Sequence, residues 1–321
     1  MASPKVRGLF HLVVVYIVWG STYLAIRIAV REGSGFPAFT MAGMRVLAAS
    51  LILFAWVALS GKRLWVGKRT LGVLAVSGVL LWLGGNGLVS WAERRADSGY
   101  SALLIGALPL WVTIMESIVD RRLPTWRLVA ALLIGLAGVA VLNGPVILDG
   151  SIQDVYAAVA LVAAAVSWGI GVIYQKRKAP VLDAEVSSAY QQLAGVFGLF
   201  LAALATGEPT PAPIPEAWAA WGYLVIFGGV IAFTSFIKAL RLLPTSVVMT
   251  YAYVNPVVAV ILGRLVLGEP ITAWTVGGTA LIVLGVMGVF HERRSAPGGK
   301  NAELGSSRSA APGGKDAELE T

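Results

Sequence analysis

Ten runs of roughly twenty apolar residues, each closed by charged or turn-forming residues, set the terms for any fold of this chain. They cover about 9–30, 36–59, 71–91, 99–119, 127–143, 155–174, 185–205, 218–240, 244–267 and 271–290. A bilayer core about 30 Å thick takes roughly 20 helical residues to cross. Inside it every backbone polar group must be satisfied within the protein, which leaves helices as the natural spanning element. The pattern therefore predicts an all-α integral membrane protein with ten transmembrane helices. The fifth run is short, but Asn143-Gly144-Pro145 marks its end. Glu93, Arg94, Arg95 and Asp97 separate the third run from the fourth, because charges of that density do not cross cheaply.

Composition agrees with this reading. The chain is 57% hydrophobic and 13% charged, with 321 residues, where a soluble domain carries about 25% charged residues. A soluble core of this length has no room for so much apolar surface. The net charge of +8 does not indicate nucleic acid, because the basic residues lie between the apolar runs. With the N-terminus placed inside, sixteen Lys and Arg fall on the inner side, among them Lys62, Arg63, Arg121, Arg122, Lys176, Arg177, Lys238 and Arg241. Only Arg31, Arg94 and Arg95 fall outside, whereas Asp149, Asp154, Glu208 and Glu216 populate the outer loops. That asymmetry predicts both termini in the cytoplasm and an even number of spans. The first apolar run is too long for a cleavable signal and is followed by Arg27 and Arg31. The protein is expected to be multi-pass in a bacterial inner membrane.

Cysteine is absent and the two histidines, His11 and His291, lie near span ends. No disulfide framework, metal site or cofactor is expected. No G-x-S-x-G, H-E-x-x-H or Walker A pattern occurs, so enzymatic readings are weak. Residues 295–321 are polar and rich in Gly, Ala, Ser and Pro, repeating APGGKNAEL as APGGKDAEL. They read as a disordered cytoplasmic tail.

The remaining chain divides into two related halves, residues 1–146 and 147–294. Trp19-Gly20 corresponds to Trp168-Gly169, Gly84-Gly85 to Gly228-Gly229, Pro109 to Pro256, and Trp126 to Trp274. Five spans per half force the second half to enter from the opposite side. The expected architecture is two inverted five-helix repeats, the arrangement through which many transporters alternate access around a midplane site.

Trp19 to Arg27 (WGSTYLAIR), Arg45 within Met44–Ala49 (MRVLAA), Tyr251 to Ala259 (YAYVNPVVA) and Leu267 to Pro270 (LGEP) resemble the motifs of EamA-type proteins of the drug/metabolite transporter superfamily. The resemblance spans roughly residues 9–290 and makes the two halves EamA-type repeats. It implies a ten-helix exporter of amino acids, metabolites or drugs, with a central cavity lined mainly by helices one, three, four, six, eight and nine. The sequence departs from the pattern at Glu116, where small or apolar residues are common in the family.

Several residues are candidates for that cavity. Trp19, Ser21, Thr22, Asn86, Trp168, Tyr251, Tyr253 and Asn255 sit at midplane depth and could form an apolar pocket with a few polar groups. Helix packing or an aromatic belt accounts for such residues equally well. Trp65, Trp126, Trp218, Trp221 and Trp274, at span ends, fit the belt. Arg45 lies about nine residues into the second span, beyond easy snorkelling; it either meets a substrate carboxylate or satisfies backbone carbonyls. Arg27 and Arg264 are near span ends and can snorkel. Pro109 and Pro256 interrupt helical hydrogen bonding and are candidate hinges or gates. Glu116, as the one carboxylate inside a span, is the candidate for proton coupling, against an ion pair with Arg121, Arg122 or Lys238. Facilitated diffusion is equally compatible.

The leading expectation is a secondary transporter exporting small metabolites, amino acids first, with lipid and a small-molecule substrate as its partners. Multidrug efflux is the alternative, and a membrane scaffold or sensor is the alternative from another class.

Overall fold

Described in a computed structural model are residues 3–92, 101, 104–148, 155–179, 182–267 and 271–295, with no strand among them. The tail beyond Ser295, the charged stretch 93–97, Asp149, Asp154 and Gly268-Glu269-Pro270 lie outside them. The main helices are α1 (Pro4–Val30), α2 (Ala38–Leu59), α3 (Lys68–Ala92), α4 (Leu108–Asp120), α5 (Trp126–Leu142), α6 (Val155–Lys178), α7 (Ala184–Ala205), α8 (Pro215–Leu242), α9 (Tyr251–Leu267) and α10 (Ala273–Ser295). Short helices Gly144–Leu148 and Thr245–Met249 follow α5 and precede α9. Seven helices, α1, α2, α3, α6, α7, α8 and α10, are long and apolar enough to cross a membrane, and α5 is a shorter apolar helix.

Local chemistry explains several ends. α1 starts at Pro4, ahead of the predicted residue 9, because Ser3 caps it. The Ser3 hydroxyl accepts from the Val6 amide at 3.3 Å, and Pro4 occupies the first turn, where no amide donor is needed. Thr125 caps α5 in the same way through Leu128. At the other end of α5 the Asn143 side chain donates to the Val139 carbonyl at 2.8 Å. α4 is shorter than its predicted span, because a turn at Ala107 breaks the helical run before it. Pro109 therefore stands in the first turn of α4 instead of inside a continuous helix. Pro256 does lie inside its helix, α9.

Large apolar side chains point away from the bundle: Phe10 is 64% exposed, Trp56 59% and Phe197 72%. Patches of this kind on a soluble protein would drive aggregation; against lipid tails they are the expected surface. The basic Arg27 is exposed as well.

The helices pack in antiparallel pairs. On α1 and α8, Trp19 meets Gly228, Ser21 meets Tyr223 and His11 meets Ser235. On α3 and α6, Gly84 lies against Ser167 and Gly171 against Leu81. On α2 and α7, Gly43 packs on Phe200 and the Ser50 hydroxyl donates to the Ala189 carbonyl. α5 and α10 meet along glycines: Gly135 faces Gly285 and Gly138 faces Gly278. Small residues let the backbones approach closely, which is how helices associate where lipid offers no hydrophobic driving force.

Two π-helical segments widen the middle of α3 and α8. They are Val79–Gly87 and Leu224–Ala232, nine residues each, and each contains a Gly-Gly pair. Side chains from facing helices reach carbonyls within these segments. Ser167 donates to Leu80 O at 2.8 Å, Trp19 Nε1 to Gly228 O at 3.3 Å, and Gln192 Nε2 to Gly229 O at 3.2 Å.

The start of α2 has no cap of its own, because Pro37 holds the capping position. Glu208, beyond α7, supplies one. Its carboxylate accepts from the Phe39 and Thr40 amides at 2.9 and 2.8 Å and from the Thr40 hydroxyl at 2.8 Å. A carboxylate at a helix N-terminus also meets the positive end of the helix dipole. Glu208→Ala is expected to lower stability by about 1–2 kcal/mol, read as a lower melting temperature of purified protein in detergent.

Candidate functional site

The spacing of residues along α1 and α3 puts one stripe of each helix on a common cavity. α1 contributes Trp19, Thr22 and Ile26, and α3 contributes Trp82, Gly85, Asn86 and Val89. In the α-helix of α1, residues three, four and seven apart share a face; in the wider turns of α3, residues four apart do, as Trp82 and Asn86 are. α2 adds Arg45, and α6 adds Ala164, Ala165 and Trp168. The run entering α4 adds Ile105 and Leu108, and α9 adds Tyr251 and Asn255. The cavity measures about 90 Å³, room for a few water molecules. Pockets for drug-sized ligands are nearer 300–1,000 Å³, so the conformation described is a contracted one.

Toward the end of the bundle where α1 begins, the cavity has an aromatic floor. The ring of Trp19 lies 5.7 Å from Trp168, 5.2 Å from Phe236 and 4.9 Å from Tyr251, centroid to centroid. Edge-on packing of this kind adds to the stabilisation from burial alone. Beneath the floor lie polar contacts between elements. Tyr16 and Thr250 share a hydrogen bond at 2.5 Å, and Lys176 donates to Leu243 O and to Thr245 Oγ1 at 3.1 and 2.8 Å. Lys238 pairs with Glu185 at 2.7 Å, and Lys62 approaches Glu185 and Asp183 at 3.6 Å. These contacts close that end.

Arg45 is the site's most unusual group. It is 2% exposed, its guanidinium stands 5.5 Å from the Trp82 ring, and its Nε and Nη1 have no hydrogen-bond partner among the described residues. No carboxylate pairs with it among the described residues. The Trp82 ring face offers a cation–π contact, which offsets part of the burial cost. The cost of burying an unpaired charge is still several kcal/mol. Four further polar atoms of the lining lack partners among the described residues: Trp82 Nε1, Trp168 Nε1, Asn86 Oδ1 and Asn255 Oδ1. The lining thus offers donors that suit an anionic group and acceptors that suit an ammonium or hydroxyl, in an otherwise apolar wall.

Of the residues expected at the pocket, Trp19, Thr22, Arg45, Asn86, Trp168, Tyr251 and Asn255 come together there. Tyr253 does not. It is fully buried against Gly135, and its hydroxyl donates to the Leu132 carbonyl of α5 at 2.9 Å. Tyr251 and Tyr253 are two residues apart and so face opposite sides of α9. Ser21 also turns elsewhere, sharing a hydrogen bond with Tyr223 at 2.5 Å. Glu116 is half-buried on α4 and outside the lining, and Lys238, one of its expected partners, is held by Glu185 instead. Glu185, in the first turn of α7 with its side chain 14% exposed, is a second enclosed carboxylate that the sequence reading passed over. Trp82 and Ile26 were missed too, although their spacing from Asn86 and from Thr22 carries the signal. Pro109 is buried in the turn that follows Leu108, and Pro256 in α9 directly follows Asn255 of the lining.

Comparison with known proteins gives the following. The EamA-like transporter family matches twice, over residues 6–144 and again over 155–291. The chain is 35% identical over 274 residues to the "Uncharacterized inner membrane transporter YedA" of Escherichia coli K12, covering 84% of this chain and 85% of that one. It is 26% identical to the "Probable terminal-alkyne amino-acid exporter" of Streptantibioticus cattleyicolor, covering 88% and 92%. It is 24% identical to the "S-adenosylmethionine/S-adenosylhomocysteine transporter" of Chlamydia trachomatis, covering 89% of each. A crystal structure named only as that of a protein superposes with a TM-score of 0.75 at 21% identity, covering 91% of this chain and all of that one. That last likeness is one of fold.

Proposed function

This chain belongs to the EamA-like transporter family, and from that premise we propose that it is a secondary transporter exporting small metabolites, amino acids first among them, from a bacterial inner membrane. The observation that carries the substrate class is the lining of the cavity. One buried, unpaired guanidinium and two free indole N–H groups suit a carboxylate, and two amide oxygens suit an ammonium group. The aromatic floor suits an apolar or aromatic side chain. Two relatives named for amino-acid-containing cargo support this reading, and a relative named as an inner membrane transporter supports the location.

The mechanism we favour is alternating access by two inverted repeats, with both termini cytoplasmic. The two family matches and the antiparallel pairing of α1 with α8 and of α3 with α6 support it. In the described conformation the aromatic floor and the polar contacts beneath it close the end where α1 begins. Opening there requires Trp19, Trp168, Phe236 and Tyr251 to part, and α4 and α9, which carry Pro109 and Pro256, are the candidate moving parts. Glu116 lies away from the cavity, so proton coupling through it would act at a distance from the ligand.

The test is uptake by purified protein in liposomes, using a panel of radiolabelled amino acids and one lipophilic cation. Saturable amino-acid flux that falls at least tenfold in Trp168→Ala, with the variant still folded, is the expected result. Flux of the cation alone would replace the reading with drug efflux. No flux of any compound would favour a scaffold or sensor.

A further inference from the structure

A cation buried without a counter-charge among membrane-spanning helices needs an anion beside it, whether or not a metabolite is bound. Arg45 is such a cation: fully enclosed, at the wall of the cavity, with two guanidinium nitrogens lacking partners among the described residues. The indole N–H groups of Trp82 and Trp168, on two other helices of the same lining, lack partners as well. Trp82 also presents its ring to the guanidinium at 5.5 Å. Size then selects among anions. A cavity of about 90 Å³ has room for a few water molecules. The unpartnered nitrogens are almost wholly covered as they stand, so an anion reaches them only as neighbouring side chains shift, and a monatomic one asks for the smallest shift.

We propose that Arg45, Trp82 and Trp168 form a site for a small inorganic anion, chloride being the simplest, occupied when no metabolite is present. A ligand carboxylate takes the same position when it arrives, so the inorganic anion and the ligand compete. This second statement rests on the amino-acid reading of the cavity; the anion site itself does not. Exchange of one monovalent anion for one carboxylate leaves the charge beside Arg45 unchanged, so the guanidinium is never left bare in lipid.

Equilibrium binding of radiolabelled chloride to the purified, detergent-solubilised full chain, in a zwitterionic buffer with sulfate as the background salt, tests the site. Saturable binding by the unmodified protein is expected. Arg45→Gln should weaken it at least tenfold, Arg45→Lys should retain part of it, and Trp82→Phe should weaken it several-fold. Elution profile and melting temperature check that each variant is folded. Absence of saturable chloride binding, or equal binding by Arg45→Gln and the unmodified protein, overturns the proposal. Adding unlabelled amino acids separates the two readings. Displacement of chloride by them supports both. Chloride binding that no amino acid displaces leaves the anion site standing and removes the amino-acid reading. Amino-acid flux without any chloride binding does the reverse.

Discussion

Arg45→Gln should transport poorly and melt higher. Removing one partner from a buried, charge-assisted contact costs about 2–5 kcal/mol, so uptake of a carboxylate-bearing metabolite is expected to fall by about two orders of magnitude. In chloride-free buffer, with neither metabolite nor small anion bound, the same substitution removes a guanidinium that is 2% exposed and has no ionic partner among the described residues. Its replacement by a neutral amide is expected to stabilise the fold by about 1–3 kcal/mol. The opposite signs distinguish a ligand-binding arginine from a structural one, for which activity and melting temperature would fall together. Liposome uptake and a thermal melt on the same preparation read both. A variant that loses transport and also melts several degrees lower would assign Arg45 to the scaffold.

The second large effect is expected where no ligand goes. α5 and α10 meet glycine to glycine, and at Gly138 an added Cβ would lie 2.6 Å from the Ile282 amide nitrogen and 2.8 Å from the Gly278 carbonyl oxygen. Both obstacles are backbone, so neither can swing aside, and the helices must separate. Gly138→Ala is expected to cost about 3 kcal/mol, even though alanine is the better helix former by about 1 kcal/mol. Gly277, on the same face of contact, is the control: the nearest atom to its added Cβ is Val141 Cγ1 at 3.7 Å. Gly277→Ala is expected to be neutral or mildly stabilising. Equal melting temperatures for the two variants would show that the close approach at Gly138 is unimportant.

Much of this fold is legible in the sequence because lipid imposes length and polarity on every span. The apolar runs foretold where helices lie, and Asn143 marked the end of α5; other ends strayed, because Ser3 carries α1 back to Pro4 and the turn at Ala107 delays α4 to Leu108. The cavity was legible where a residue's type was unusual for its depth. Trp19, Arg45, Asn86, Trp168 and Asn255 are conspicuous in the middle of apolar runs, and all line it. Facing direction was harder to read. Tyr251 and Tyr253 are equally conspicuous, yet the twist of the helix sends one to the cavity and the other to Leu132. Trp82 escaped notice beside the Gly-Gly pair, though it shares a stripe with Gly85, Asn86 and Val89. The π-helical geometry leaves no mark in apolar periodicity; the side chains that meet its carbonyls, Ser167, Trp19 and Gln192, come from other helices.

Those widened segments give the chain two places where its count of residues can change. A π-helical turn closes over one residue more than an α-turn, so Val79–Gly87 holds surplus length inside a helix that still spans the bundle. Deleting a single residue there need not break α3; it can relax the segment toward ordinary α-helix, and the residues on either side then keep their faces. Val89 would stay at the cavity, and the loss would fall on the carbonyls that the widened turn offers to other helices. The matching stretch from Val225 to Val230 has the same surplus. An ordinary α-helix has none: a residue deleted from α1 just ahead of Trp19 would rotate the two sides of the cut by about 100° relative to each other, the angular step of one residue, and take Trp19, Thr22 and Ile26 off the cavity. In such a membrane protein the loss of three nucleotides is absorbed in one helix and re-lines the cavity in another, without any exchange of side-chain chemistry.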